Sequence, residues 1–105
     1  MQPEQQDQWE LCEVRLTMRS SWRITFTLEA VATGPYGQEI IAARVFHRWM
    51  SYKALDQHPK MERNRTSLVN ELVSDGWEPL PSVMQPLPTP LMRGVMLPRF
   101  RRRVH

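Results

Sequence analysis

The sequence predicts an α+β fold: an antiparallel sheet of four to five strands, in chain order β-β-β-α-β-β, with one helix packed on one face. Three observations predict it. Apolar and polar residues alternate from Trp9 to Thr33, the period turns helical between Pro59 and Gly76, and extended character resumes from Gly94 to Val104. A chain of 105 residues fits a single domain, here residues 9–105, behind a disordered lead-in at residues 1–8 with no apolar residue after Met1. With 41% hydrophobic and 24% charged residues, the composition excludes disorder as the main state. No apolar run reaches the ~20 residues that a membrane span needs.

The first strand starts at Trp9, with Cys12, Val14, Leu16 and Met18 on one face and Glu13, Arg15, Thr17 and Arg19 on the other. In the second, residues 22–33, Trp22, Ile24, Phe26, Leu28, Ala30 and Ala32 alternate with Arg23, Thr25, Thr27, Glu29 and Thr33. One apolar and one wet face is the pattern of an antiparallel sheet. Gly34-Pro35-Tyr36-Gly37 reads as the turn of a hairpin. The third strand, residues 38–46, is apolar on both faces (Ile40, Ala42, Phe46; Ile41, Ala43, Val45), which predicts a central position. Residues 47–58 have no clear period.

Pro59 suits the first turn of a helix, where a missing N–H costs nothing. Met61, Leu68, Val69, Leu72 and Val73 form the apolar stripe, and Gly76 suits the left-handed position that ends it. Trp77 then returns to the core. Pro79, Pro81, Pro86, Pro88 and Pro90 make residues 79–92 a loop of polyproline character, barred from the centre of a sheet. In the last strand Phe100, Arg102 and Val104 alternate with Arg99, Arg101 and Arg103. It reads as an edge strand, where arginines discourage strand-to-strand aggregation.

Formal charge is +3, and among the 14 basic residues only Lys53 and Lys60 are lysines. Arginine favours bidentate contacts with carboxylates and phosphates, hence salt-bridge, interface or phosphate-binding roles. The first 13 residues carry Glu4, Asp7, Glu10 and Glu13 with no base; residues 93–105 carry Arg93, Arg99, Arg101, Arg102 and Arg103 with no acid. As neighbouring strands the two ends neutralise each other; apart, they leave a basic patch for a polyanion. The opening MQPEQQDQWE is polar and acidic, unlike a secretion signal, and the one cysteine cannot form an internal disulfide. Both features point to a reducing cytoplasm.

The segment Leu68–Leu80, LVNELVSDGWEPL, followed after a loop by Pro98–Val104, PRFRRRV, carries a resemblance. Leu72, Asp75, Gly76, Trp77, Glu78 and the ending Phe100-Arg101-Arg102 resemble a class of short bacterial domains of unknown function, the domain of unknown function 4177 type. The opening Trp9-Glu10-Leu11-Cys12-Glu13-Val14 is similar to that class's first strand. The resemblance covers about a third of the chain and implies a topology, with no activity attached. The inserted hairpin at Trp22–Phe46 and the proline-rich stretch depart from it.

No arrangement of residues points to catalysis, a metal or a cofactor. His47, His58, His105 and Cys12 lack metal-ligand spacing. Cys12 falls among apolar neighbours as a small buried hydrophobe. There is no nucleophile motif, no glycine-rich phosphate loop and no P-x-x-P spacing. Glu71, Asp75 and Glu78 gather near the helix end, where Glu78 is expected to face inward and pair with an arginine of the last strand. Arg99, Arg101, Arg102 and Arg103, beside Phe100, are the candidate polyanion contact. Arg48, Trp49, Met50 and Tyr52, of types enriched at interface hot spots, are the candidate protein contact.

The expected function is therefore a non-enzymatic interaction module, self-associating or accessory to a larger bacterial assembly. A homodimer is expected through the sheet or its edge, because one helix covers one face only. A nucleic-acid-binding protein is the alternative, and a small-ligand domain with a pocket between helix and sheet comes third.

Overall fold

A computed structural model describes residues 8–20, 24–48, 55–87 and 94–104. Among them lie strands β1 (Gln8–Ser20), β2 (Ile24–Gly34), β3 (Gly37–Arg48), β4 (Glu78–Gln85) and β5 (Val95–Val104). A 3₁₀ turn at Leu55–Gln57 precedes the helix α1 (Pro59–Ser74). The strands form one antiparallel sheet in the order β3-β2-β1-β5-β4. This is the α+β architecture that the alternating and helical periods predict. Strand β1 begins at Gln8, one residue inside the expected lead-in, because Gln8 pairs with Val104.

The β2–β3 hairpin closes at Gly34↔Gly37 around Pro35-Tyr36. Proline holds its φ negative, so the mirror-image turns usual in two-residue hairpins are closed to it. Gly37 absorbs the mismatch at φ 120°. Ile24, Phe26 and Leu28 lie in the core, and the Phe26 and Phe46 rings stack with centroids 5.3 Å apart.

Three expectations are corrected. Strand β3 is an edge strand, not a central one. Its two-sided apolar pattern arises from a register shift between Ala30 and Val31, which skips Ile41 on β3. The extra residue sends both Ile41 and Ala42 towards the core and turns Ile40 out to solvent, 53% exposed. The expected proline loop is strand as far as Gln85, because β4 is the other edge, where a missing N–H breaks no central ladder. Residues 81 and 82 fall in a second register shift. Strand β5, expected at an edge, lies between β1 and β4: β1 pairs with its Arg99–Val104 end, and β4 flanks its other side.

Helix α1 is capped at both ends. The His58 Nδ1 accepts from the Lys60 N–H at 3.1 Å, and Pro59 follows as the first helical residue. At the C-terminus the Trp77 N–H reaches the Leu72 carbonyl and the Gly76 N–H reaches that of Val73, both at 3.0 Å. This is a Schellman closure, with Gly76 at φ 90° as its left-handed residue. Trp77, 2% exposed, joins Leu72 in the core, as the Asp-Gly-Trp junction predicts. Met61, Leu68 and Leu72 are the buried stripe; Val73 stands outside it, about half exposed.

A polar clamp ties the helix to the β4–β5 hairpin. Asp56 Oδ1 accepts from the Met96 N–H at 2.9 Å and from Arg65 Nη1 at 2.6 Å. Arg65 also donates to the Met96 carbonyl at 2.9 Å and pairs with Glu62. One aspartate and one arginine thus satisfy both backbone groups of Met96. No helix among the described residues is long and apolar enough to cross a membrane.

Candidate functional site

Helix α1 covers one face of the sheet; the residues that alternate with the core lie on the other. On β1 these are Trp9, Leu11, Glu13, Arg15 and Thr17, and on β5 Arg99, Arg101 and Arg103, with Glu13↔Arg99, Leu11↔Arg101 and Trp9↔Arg103 as register partners. Strands β2 and β3 add Thr27, Glu29, Val31, Ile40 and Val45. Ile40 and Val45 are 53% and 57% exposed, and Leu11 and Trp9 are also partly open.

Side chains engage part of each sheet edge. On β3 the Ala43 carbonyl accepts from Arg44 Nη1, and that of His47 from Lys60 Nζ, each at 2.9 Å. Arg44 also reaches Glu71 at 2.6 Å, so an inward-facing charge on the edge strand binds it to the helix. On β4, Pro79 and Pro81 remove two donors, and the Pro81 carbonyl accepts from Arg99 Nε at 3.0 Å.

The arginines of the last strand divide between the faces. Arg102 turns towards the core: its guanidinium carbon lies 4.3 Å from the Trp77 ring centre, its Nε donates to Glu10 at 2.7 Å, and its Nη1 to the Asp75 carbonyl at 3.2 Å. Arg101 and Arg103 flank Trp9 on the open face, 4.3 and 5.4 Å from the ring centre. Arg101 also donates to Glu78 at 3.1 Å. Glu78 thus has its expected arginine partner, but the carboxylate is exposed rather than inward. Of the four candidate polyanion contacts, Arg99, Arg101 and Arg103 share one face and Arg102 leaves it. Trp49, Met50 and Tyr52 lie outside the described residues, as does the side chain of Arg48.

Cys12 is fully buried, and burial pushes its thiol up to about 11 against the opposing charge of Arg102. It is a neutral packing group near pH 7. Among the described residues no three of His, Cys, Asp and Glu gather as metal ligands. The ties of Gln85 to Leu16 and of Asp56 and Arg65 to Met96 had no local signal, because these partners are backbone groups more than thirty positions away. Trp9 did have one: its parity places it on the face of Arg101 and Arg103.

A groove of about 370 Å³ opens on this same face where β5 parts from β1, with Glu13, Arg15 and Arg99 among its lining. It lies away from the helix; a second groove of about 360 Å³ lies where α1 meets β4 and β5, lined by Arg65, Thr66 and Val69 of the helix and by Ser82, Met96 and Pro98, in the place expected for a pocket between helix and sheet. No protein-family model matches the chain, so the resemblance carried by Asp75-Gly76-Trp77-Glu78 and Phe100-Arg101-Arg102 gains no support there, and no curated protein or solved structure matches it either.

Proposed function

We propose that the protein is a non-enzymatic interaction module that self-associates through the open face of its sheet, in a bacterial cytoplasm. The observation that carries this reading is the contrast between face and edges. Ile40 and Val45 stay more than half exposed on the open face, while arginine, lysine and proline side chains block part of both edges. Apolar residues on a sheet face that no other described element covers favour a second copy, since a two-fold contact uses one self-complementary patch. Trp9, with the Arg101 and Arg103 guanidiniums 4.3 and 5.4 Å from its ring centre, supplies an aromatic anchor of the type enriched at contacts.

Sedimentation of the full chain across the micromolar range tests the reading. A dimer is expected, and Val45→Glu or Ile40→Glu is expected to return it to monomer. A monomer at high micromolar concentration, or a dimer indifferent to both substitutions, overturns it. The Trp9–Arg101–Arg103 arrangement also favours a second reading, stacking of a single-stranded nucleic acid on the same face. Anisotropy of a labelled oligonucleotide separates the two, because phosphate contacts weaken steeply with salt and apolar contacts do not.

A further inference from the structure

We propose that the groove at the fork of β1 and β5 binds a free α-amino acid with an apolar side chain. The groove exists because the ladder stops. After Glu13↔Arg99 the next residue facing Val14 is Pro98, which has no N–H to give. Two residues on, the Gln85 side-chain amide takes the place of a strand, accepting from the Leu16 N–H at 3.0 Å and donating to its carbonyl at 2.9 Å. The space between measures about 370 Å³, at the small end of the ~300–1,000 Å³ usual for ligand sites.

Its described lining is part apolar and part charged. Val31, Leu97 and Met84 contribute the apolar part, and Val31 is 8% exposed although it lies on the face away from the core. The charged part suits a zwitterion. Arg15 commits its Nε to Glu29 at 3.2 Å, and Arg99 its Nε to the Pro81 carbonyl at 3.0 Å. Neither forms an ion pair with Glu13, although Arg99 is its register partner. Among the described residues both guanidiniums keep their Nη donors for a carboxylate, and Glu13 keeps its oxygens for an ammonium. A plain anion meets the repulsion of Glu13, and a plain cation that of the two arginines. A molecule with both charges and an apolar side chain meets neither.

Calorimetric titration of the full chain with L-phenylalanine tests the assignment, with 3-phenylpropanoate and 2-phenylethylamine each lacking one charge. One-to-one binding of phenylalanine is expected, with each control weaker by about tenfold or more. Glu13→Gln and Arg99→Gln are each expected to weaken phenylalanine by a similar factor. Glu13 is exposed and forms no ion pair among the described residues, so Glu13→Gln is expected to retain the fold and carries the test even where Arg99→Gln does not fold. Repeating the titration on Val45→Glu keeps a second copy from hiding the groove, and binding seen there alone also supports the site. Absence of heat from millimolar L-phenylalanine, L-leucine and L-methionine on both chains overturns the proposal. So does 3-phenylpropanoate binding as tightly as phenylalanine, or binding indifferent to Glu13→Gln.

Discussion

Gly76 shows how one residue closes an element. Its φ of 90° costs an L-residue roughly 1–2 kcal/mol, and no neighbour blocks a Cβ there, the nearest atom being Arg102 Cδ at 4.0 Å. Gly76→Ala is therefore expected to destabilise the protein by about 1–2 kcal/mol through backbone strain alone, measured by urea unfolding. Gly76→Asn should cost less, because asparagine tolerates the left-handed region. An unchanged unfolding midpoint in the alanine variant contradicts the account. This position was legible in the sequence, since the apolar stripe ends at Val73 and Asp75-Gly76-Trp77 follows after Ser74. Gly94 was not. A Cβ there would stand 2.8 Å from the Gln85 carbonyl, a close approach between segments that no local pattern records.

At the scale of elements, what the period showed and what it hid have a common cause. Alternation in β1 and β2 identified the core face correctly, because those strands pair without interruption over Leu11–Ser20 and Ile24–Thr33. In β3 a single skipped residue reversed the parity of Ile40 and Ile41, so an edge strand read as one buried on both sides. In β4 the prolines concealed a strand whose outer edge needs no donors. The clamp between the 3₁₀ turn, α1 and β5 was equally hidden, and it makes the fold sensitive to acid. Burial alone would raise the Asp56 carboxyl, but the Met96 N–H and the Arg65 guanidinium outweigh it and hold it below the ordinary aspartate value. A carboxylate depressed in the folded state adds stability above its unfolded pKa, and loses it as pH falls through the folded one. Asp56→Asn should therefore be less stable than the parent at neutral pH. The difference should shrink below about pH 4, where the unfolded carboxyl protonates. Parallel melting curves across pH 2–7 would contradict this.

For the whole molecule, the opposite charges of the chain's two ends are explained by the seam between β1 and β5. Glu10↔Arg102 and Glu13↔Arg99 face each other in register, so the acidic opening and the basic close lie side by side. Two outcomes followed from composition, neutralisation or a free patch, and the choice between them depended on strand order, which no local pattern encodes. Arg102 does most to join the parts: it contacts Glu10 on β1, the Asp75 carbonyl at the end of α1, and the Trp77 ring in the core. Its side chain remains 40% exposed, so solvent screens the charge and reduces the ~1.5–3 kcal/mol of a charge-assisted hydrogen bond. Arg102→Gln is expected to cost about 1–2 kcal/mol, with part of that difference vanishing in high salt. Arg102→Met keeps the aliphatic cover over Trp77 but loses every polar bond, and should be no more stable than the glutamine variant. If methionine restores the parent stability, packing on Trp77 rather than the tie to Glu10 and Asp75 holds the two ends of the chain together.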